Sequence, residues 1–249
     1  MADQLYLSLW FPNFRFEALP TALTSVLRQF ARVAASSMPG KDPENPAAGR
    51  VTATTVYPIS FTEAPTYQRI YVNDDRAEDT SDSIIENAVA EATEHLHDDM
   101  AVEFEMKWNL WTPDISPAAS AEAQLDTLWR LEPRTVRIIG FGPQFDTSAY
   151  EQNGHIRVDF GLDTPWVLDS IGGDRLDSDR DPDTDLYDEL DPQLLHDEQT
   201  TKRIQQNIEM LLAFTLSVEK HCNISSRLLW TESGEPLAEK LIARLQRLN

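Results

Sequence analysis

Residues 101–110 alternate without a break. Val102, Phe104, Met106, Trp108 and Leu110 are apolar, and Glu103, Glu105, Lys107 and Asn109 fall between them. Successive side chains of a strand point to opposite faces, so this spacing sends one set into a core and leaves the other in water. A strand of that kind belongs to a sheet covered on one side only, which is an antiparallel habit more than a parallel one. The fold class that follows is α+β: an antiparallel or mixed sheet covered by helices.

The flanking sequence supplies both kinds of element. Residues 5–11 alternate with Leu5, Leu7, Leu9 and Phe11 on one face and Tyr6, Ser8 and Trp10 on the other, and Pro12 ends the run. A helix is predicted over 19–36, where Leu19, Leu23, Val26, Leu27, Phe30 and Val33 form a stripe. Strands are predicted at 51–57 and 67–72. A second helix is predicted over 82–98 with its stripe at Ile84, Ile85, Ala88, Val89, Ala92 and Leu96, and with Ser81 or Asp82 as cap. Up to residue 112 the order is therefore β-α-β-β-α-β, which suggests a ferredoxin-like N-terminal half.

Beyond Pro113 the pattern repeats in kind without repeating in sequence. A helix is predicted at 117–130, strands at 134–141, 155–160 and 165–168, and a long helix at 200–221. A short strand follows at 226–230, and a terminal helix carries Leu237, Leu241, Leu245 and Leu248. Gly140-Phe141-Gly142-Pro143 reads as a turn, because no further glycine and no helix follow to complete a dinucleotide fingerprint. A boundary near 112–117 would divide the chain into residues 1–112 and 113–249. One continuous sheet through both halves is the alternative.

Charge limits the partners. The 249 residues hold 42 acids and 21 bases, a formal net charge of −21, and the bases are scattered. Such a surface repels nucleic-acid backbones and anionic membranes, so neither is an expected partner, whereas a basic protein is permitted. Cys222 is the only cysteine, no basic leader opens the sequence, and no apolar run is long enough to span a bilayer. Those features fit the cytoplasm.

Two stretches stand out as possible sites. Residues 169–198 hold twelve acids against two arginines, with Asp177, Asp179, Asp181, Asp183 and Asp185 at every second position. That is how calcium loops begin, but Pro182 stands where such a loop needs glycine and Asp188 where it needs glutamate. A solvated, self-repelling loop or a docking surface for a basic partner is the expected use. The second stretch is Glu94-His95-Leu96-His97-Asp98-Asp99. On a helix His95 and Asp99 face one another and His95 and His97 do not, so it reads first as a helix end. Cys222, next to His221, reads as a small buried hydrophobe. Among six tryptophans, Trp111 falls out of the alternation that buries Trp108 and should face the opposite side, as a partner-binding residue.

No nucleophile elbow, phosphate loop or zinc spacing is present. The expected function is a non-catalytic acidic interaction protein that binds a protein partner in a regulatory, immunity or antitoxin-like role, without a cofactor. The residues expected to meet that partner are Trp111 and the five aspartates 177–185. The alternative is a metal-assisted hydrolase assembled from His95, Asp99, Glu103, Glu105 and His155.

Overall fold

A computed structural model describes residues 3–36, 48–71, 81–113, 129–146, 153–166 and 192–233, with backbone alone for 81, 113 and 192–199. The strands are β1 (Gln4–Trp10), β2 (Val51–Pro58), β3 (Tyr67–Ile70), β4 (Met100–Pro113), β5 (Trp129–Phe141), β6 (Ile156–Leu162) and β7 (Ser226–Thr231). The helices are α1 (Leu19–Ser36), α2 (Ser81–Ala92) and α3 (Pro192–His221). One seven-stranded sheet runs in the order β3-β2-β4-β5-β6-β1-β7. Every neighbouring pair of strands is antiparallel.

The alternation in β4 does what its spacing requires. Val102, Phe104, Met106, Trp108 and Leu110 are all buried in the main core, under the apolar stripes of the three helices. Helix α1 contributes Leu23, Val26, Leu27 and Phe30, α2 contributes Ile85, Ala88 and Val89, and α3 contributes Ile208, Leu211, Phe214 and Val218. The centre is aromatic: Phe30 meets Trp108 edge-on at 5.3 Å and Phe214 at 5.4 Å, and Phe160 of β6 meets Trp108 at 5.9 Å. Each buried ring contributes about 1.5–3 kcal/mol through removal from water, and each edge-on pair about 0.5–1.5 kcal/mol more.

The ferredoxin-like arrangement expected of residues 1–112 is not the observed one. That arrangement needs β1 inside the sheet formed by β2, β3 and β4, but β1 lies beyond β5 and β6, between β6 and β7. Its apolar face is satisfied there by the same core, so local pattern does not choose between the two placements. Strands from both sides of residue 113 are interleaved, and β4 and β5 pair from Ala101↔Phe141 to Pro113↔Trp129.

Several element boundaries also differ from expectation. Helix α2 stops at Ala92 instead of running to 98. The Thr93 hydroxyl donates to the Val89 carbonyl, and the chain then tightens into turns, with Glu94 N–H donating to the Glu91 carbonyl and Leu96 N–H to the Thr93 carbonyl. Two tertiary bonds take over from there: the carbonyls of Asp98 and Asp99 accept from the N–H groups of Gln144 and Ile59. Gly142 permits that approach, since a Cβ there would lie 2.2 Å from the Asp98 carbonyl oxygen.

Gly140 is a strand residue rather than part of a turn, and Leu19 and Leu23 of α1 rest where its side chain would be. Residues 192–198, expected in the acidic loop, are the first turns of α3, with Pro192 at the start where a missing N–H costs nothing. Trp129 and Arg130 are strand, not the end of a helix, and the rest of the helix predicted at 117–130 lies outside the described residues apart from those two. Pro165 and Trp166 are in a turn, not a strand. The terminal helix falls outside the described residues. Among the described residues no helix is long and apolar enough to cross a membrane.

Candidate functional site on the open face of the sheet

Register decides which polar side chains become neighbours on the face that carries none of the described helices, called here the open face. Directly opposed residues of antiparallel strands project to the same side at about 4.5–5.5 Å between Cβ atoms. Reading across the sheet, Ala53 is opposite Glu105, Glu105 opposite Arg137, Arg137 opposite Asp159, Asp159 opposite Tyr6, and Tyr6 opposite Trp230. The adjacent row runs Thr55, Glu103, Ile139, Arg157, Ser8 and Leu228. Six strands thus bring three carboxylates, two guanidiniums and two large rings onto one surface.

Arg137 is the hub. Its guanidinium lies 3.6 Å from Glu105, 3.9 Å from Glu103 and 3.9 Å from Asp159, all ion-pair distances longer than a hydrogen bond. Glu103 is the most enclosed of the acids, at 8% exposure. Burial pushes its carboxyl above the usual glutamate range; Arg137 opposes that shift, and Glu105 and Asp159 add to it. Asp159 also accepts the Gly161 N–H at 2.9 Å, which steadies its carboxylate.

Arg157 is held differently. It donates to Asn153 Oδ1 at 2.7 Å, and its guanidinium carbon lies 5.0 Å from the Tyr6 ring, 5.3 Å from Phe141 and 5.8 Å from Phe61. Burial draws its basicity below the ordinary arginine value. Below it Ala101, Ile139, Phe141 and Phe145 form a second, small core, with Tyr57 packed alongside and Phe61 over Phe145 at 4.9 Å. At the other end Trp230 lies 4.6 Å from Tyr6 and donates its indole N–H to Ser8 Oγ at 2.9 Å. Burial, and then the charge of Asp159, raise the Tyr6 phenol.

The residues singled out from sequence are distributed otherwise. Asp177, Asp179, Asp181, Asp183 and Asp185 lie outside the described residues. Trp111 is half-buried and packs against the main core. The reason is α3. Arg203 lies 3.6 Å over the Trp111 ring, and Asn207 accepts the Trp111 N–H at 3.0 Å and donates to its carbonyl at 2.8 Å. Asn207 donates again to the Pro165 carbonyl at 2.8 Å, so one buried amide joins α3, β4 and the turn after β6.

His95 and His97 are exposed in the turns after α2, so the helical spacing that would have set His95 against Asp99 does not arise. His155 stacks on Phe14 at 4.0 Å and accepts the Phe11 N–H at Nδ1, and burial lowers its basicity. Of the hydrolase set, Glu103 and Glu105 are neighbours on the open face. Among the described residues no group of three or more His, Cys, Asp or Glu is placed to hold a metal ion. Cys222 is buried and receives a hydrogen bond from Ser25 Oγ at 3.3 Å.

Sequence reasoning passed over Arg137, Arg157, Asp159 and Trp230. The alternation of Arg157 and Asp159 with Ile156, Val158 and Phe160 places the first two on a wet face, but only the strand order supplies their neighbours. Among the described residues, the fold and this surface define an α+β protein with a seven-stranded antiparallel sheet, one face of which carries charged and aromatic side chains and none of the described helices. The chain matches no protein-family model, and comparison with curated proteins and with solved structures found no match.

Proposed function

We propose that this chain is a non-catalytic acidic interaction protein of the cytoplasm that receives a basic protein partner on the open face of its sheet, in a regulatory, immunity or antitoxin-like role. The observation that carries the reading is the row Glu105, Arg137, Asp159, Tyr6 and Trp230 on the face the described helices leave free. Aromatic rings beside charged groups supply anchoring area and orientation together. The net charge of −21 supplies long-range attraction for a basic surface, strongest near the aspartates at 177–185. Trp111, under Arg203, lies at the rim of β4 and belongs to the framework in this reading.

The test is affinity purification from native lysate at low and high salt, with metal content measured on the same sample. A basic protein that co-purifies at low salt, is released by high salt, and is lost when Arg137 and Trp230 are replaced by alanine supports the proposal. Protein that comes out alone with a stoichiometric divalent ion overturns it in favour of the hydrolase alternative.

A further inference from the structure

We propose that His155 is an acid-sensitive latch on the connection from β1 to α1: the neutral ring holds residues 11–18 in place, and protonation lets them go. The latch stands apart from the interaction reading above. Phe11 N–H donates to His155 Nδ1 at 3.0 Å. A main-chain N–H can only donate, so Nδ1 must present a lone pair and the ring proton sits on Nε2. The ring also lies flat on Phe14, with centroids 4.0 Å apart and planes 13° from parallel, and the Phe11 ring stands 6.3 Å from it. One imidazole therefore fixes both the main chain and the two aromatic side chains of the connection.

Protonation puts a hydrogen on Nδ1, so two donors meet and the bond is lost. Turning the ring over does not restore it, because both nitrogens of an imidazolium donate. The chain before Phe11 keeps its own bonds: His155 N–H donates to the Leu9 carbonyl, and Leu9 pairs with Ile156. Release therefore starts at residue 11 while β1 stays in the sheet. The freed stretch holds Asn13 in a left-handed conformation, at φ 49°, and the turn Phe16–Ala18 that leads into α1. The elements that touch the ring or its main chain are this connection, β1, β5 and β6. Among the described residues, their charged groups at this end are Arg15 and Glu17 in the connection, both exposed, Arg157 and Asp159 on β6, and Asp146 just beyond β5. Arg157 is bonded to Asn153, and Asp159 accepts the Gly161 N–H and lies 3.9 Å from Arg137. Burial lowers the basicity of the ring, so the folded protein holds this proton more weakly than the unfolded chain does. The stability that His155 lends is then present above the ordinary histidine value and is lost as pH falls through the lowered one.

The experiment uses the full nitrogen-15-labelled chain, titrated from about pH 7.5 to about pH 5 and followed by nuclear magnetic resonance. The His155 ring nitrogens should report the Nε2–H tautomer at the upper end and titrate with a midpoint below that of an exposed histidine. The Phe11 amide signal should move with the same midpoint. Its hydrogen-exchange protection factor should fall about tenfold or more across the titration, while the amides of β4 keep theirs. His155→Asn keeps an acceptor near the Nδ1 position that does not titrate, and should leave Phe11 protected at both ends of the range. His155→Phe keeps the ring stack without the acceptor, and should lower the Phe11 protection by a similar factor already at neutral pH. An Nδ1–H tautomer at neutral pH, or a Phe11 amide that does not follow the His155 titration, overturns the latch. Loss of protection throughout β4 at the same midpoint also overturns it, since the change would then be global unfolding.

Discussion

Replacing Asn207 by alanine removes one side chain and strands three main-chain groups. The amide is fully buried; it accepts from the Trp111 N–H and donates to the carbonyls of Trp111 and Pro165. Each buried polar group left without a partner costs about 1–3 kcal/mol. Trp111 is half-buried, so water can reach part of that site and recover some of the loss. The expected destabilisation is therefore about 3 kcal/mol, toward the lower end of the summed range. For a chain of this size that lowers the melting temperature by about 6–12 °C. The measurement is urea unfolding followed by tryptophan fluorescence, with the midpoint lowered and the slope unchanged. Gln205→Ala, on the exposed side of the same helix, is the control and should fall within about 0.5 kcal/mol of the original. Asn207→Asp keeps the acceptor but loses both donations and buries a charge, so it should be at least as damaging as alanine. A loss of less than about 1 kcal/mol for Asn207→Ala would refute the idea that this amide joins α3, β4 and the turn after β6.

Further expectations follow from other parts of the molecule. Gly142→Ala would place a Cβ 2.2 Å from the Asp98 carbonyl oxygen, a main-chain atom that does not yield, so a loss of about 3 kcal/mol or more is expected in the same assay. Burial raises the Glu103 carboxyl, so the folded state holds that proton more tightly than the unfolded chain does. Its contribution to stability is then complete below the ordinary glutamate value and is lost as pH rises through the raised one. Wild type should accordingly lose stability relative to Glu103→Gln across that window; a flat difference or one of opposite sign would refute the assignment. Because β4 and β5 pair across residue 113, the described strands should unfold together, and far-ultraviolet circular dichroism and fluorescence transitions should coincide; two separated transitions would restore a division at 112–117.

The period-two spacing of β4 and the helical stripe of α1 were legible because burial imposes them directly on the chain. The helix over 19–36 is found with the bounds its stripe predicts. Where a boundary was misplaced, a long-range bond ended or moved the element. The run from Ile84 to Leu96 keeps a helical spacing, yet α2 ends at Ala92, where the bonds from Gln144 and Ile59 pull the chain toward β4. At Trp111 alternation predicts a side but not the contacts that α3 makes there through Arg203 and Asn207.

For the candidate site the limit is sharper. Arg137, Asp159 and Tyr6 each carry the mark of a wet strand face, and no local pattern says that they are neighbours. Tyr6 meets Asp159 and Trp230 because β1 enters between β6 and β7, pairings that join residues about 150 and 220 positions apart.

The sequence by itself determined that this is an α+β chain with a sheet wet on one side. Tertiary structure alone decided the strand order, and with it the row of acids, arginines and rings on that wet side. The division has a physical cause. Which way a side chain points follows from the backbone period of its own element, whereas what it meets follows from competition among distant strands, and any of several orders would have buried the same apolar faces equally well.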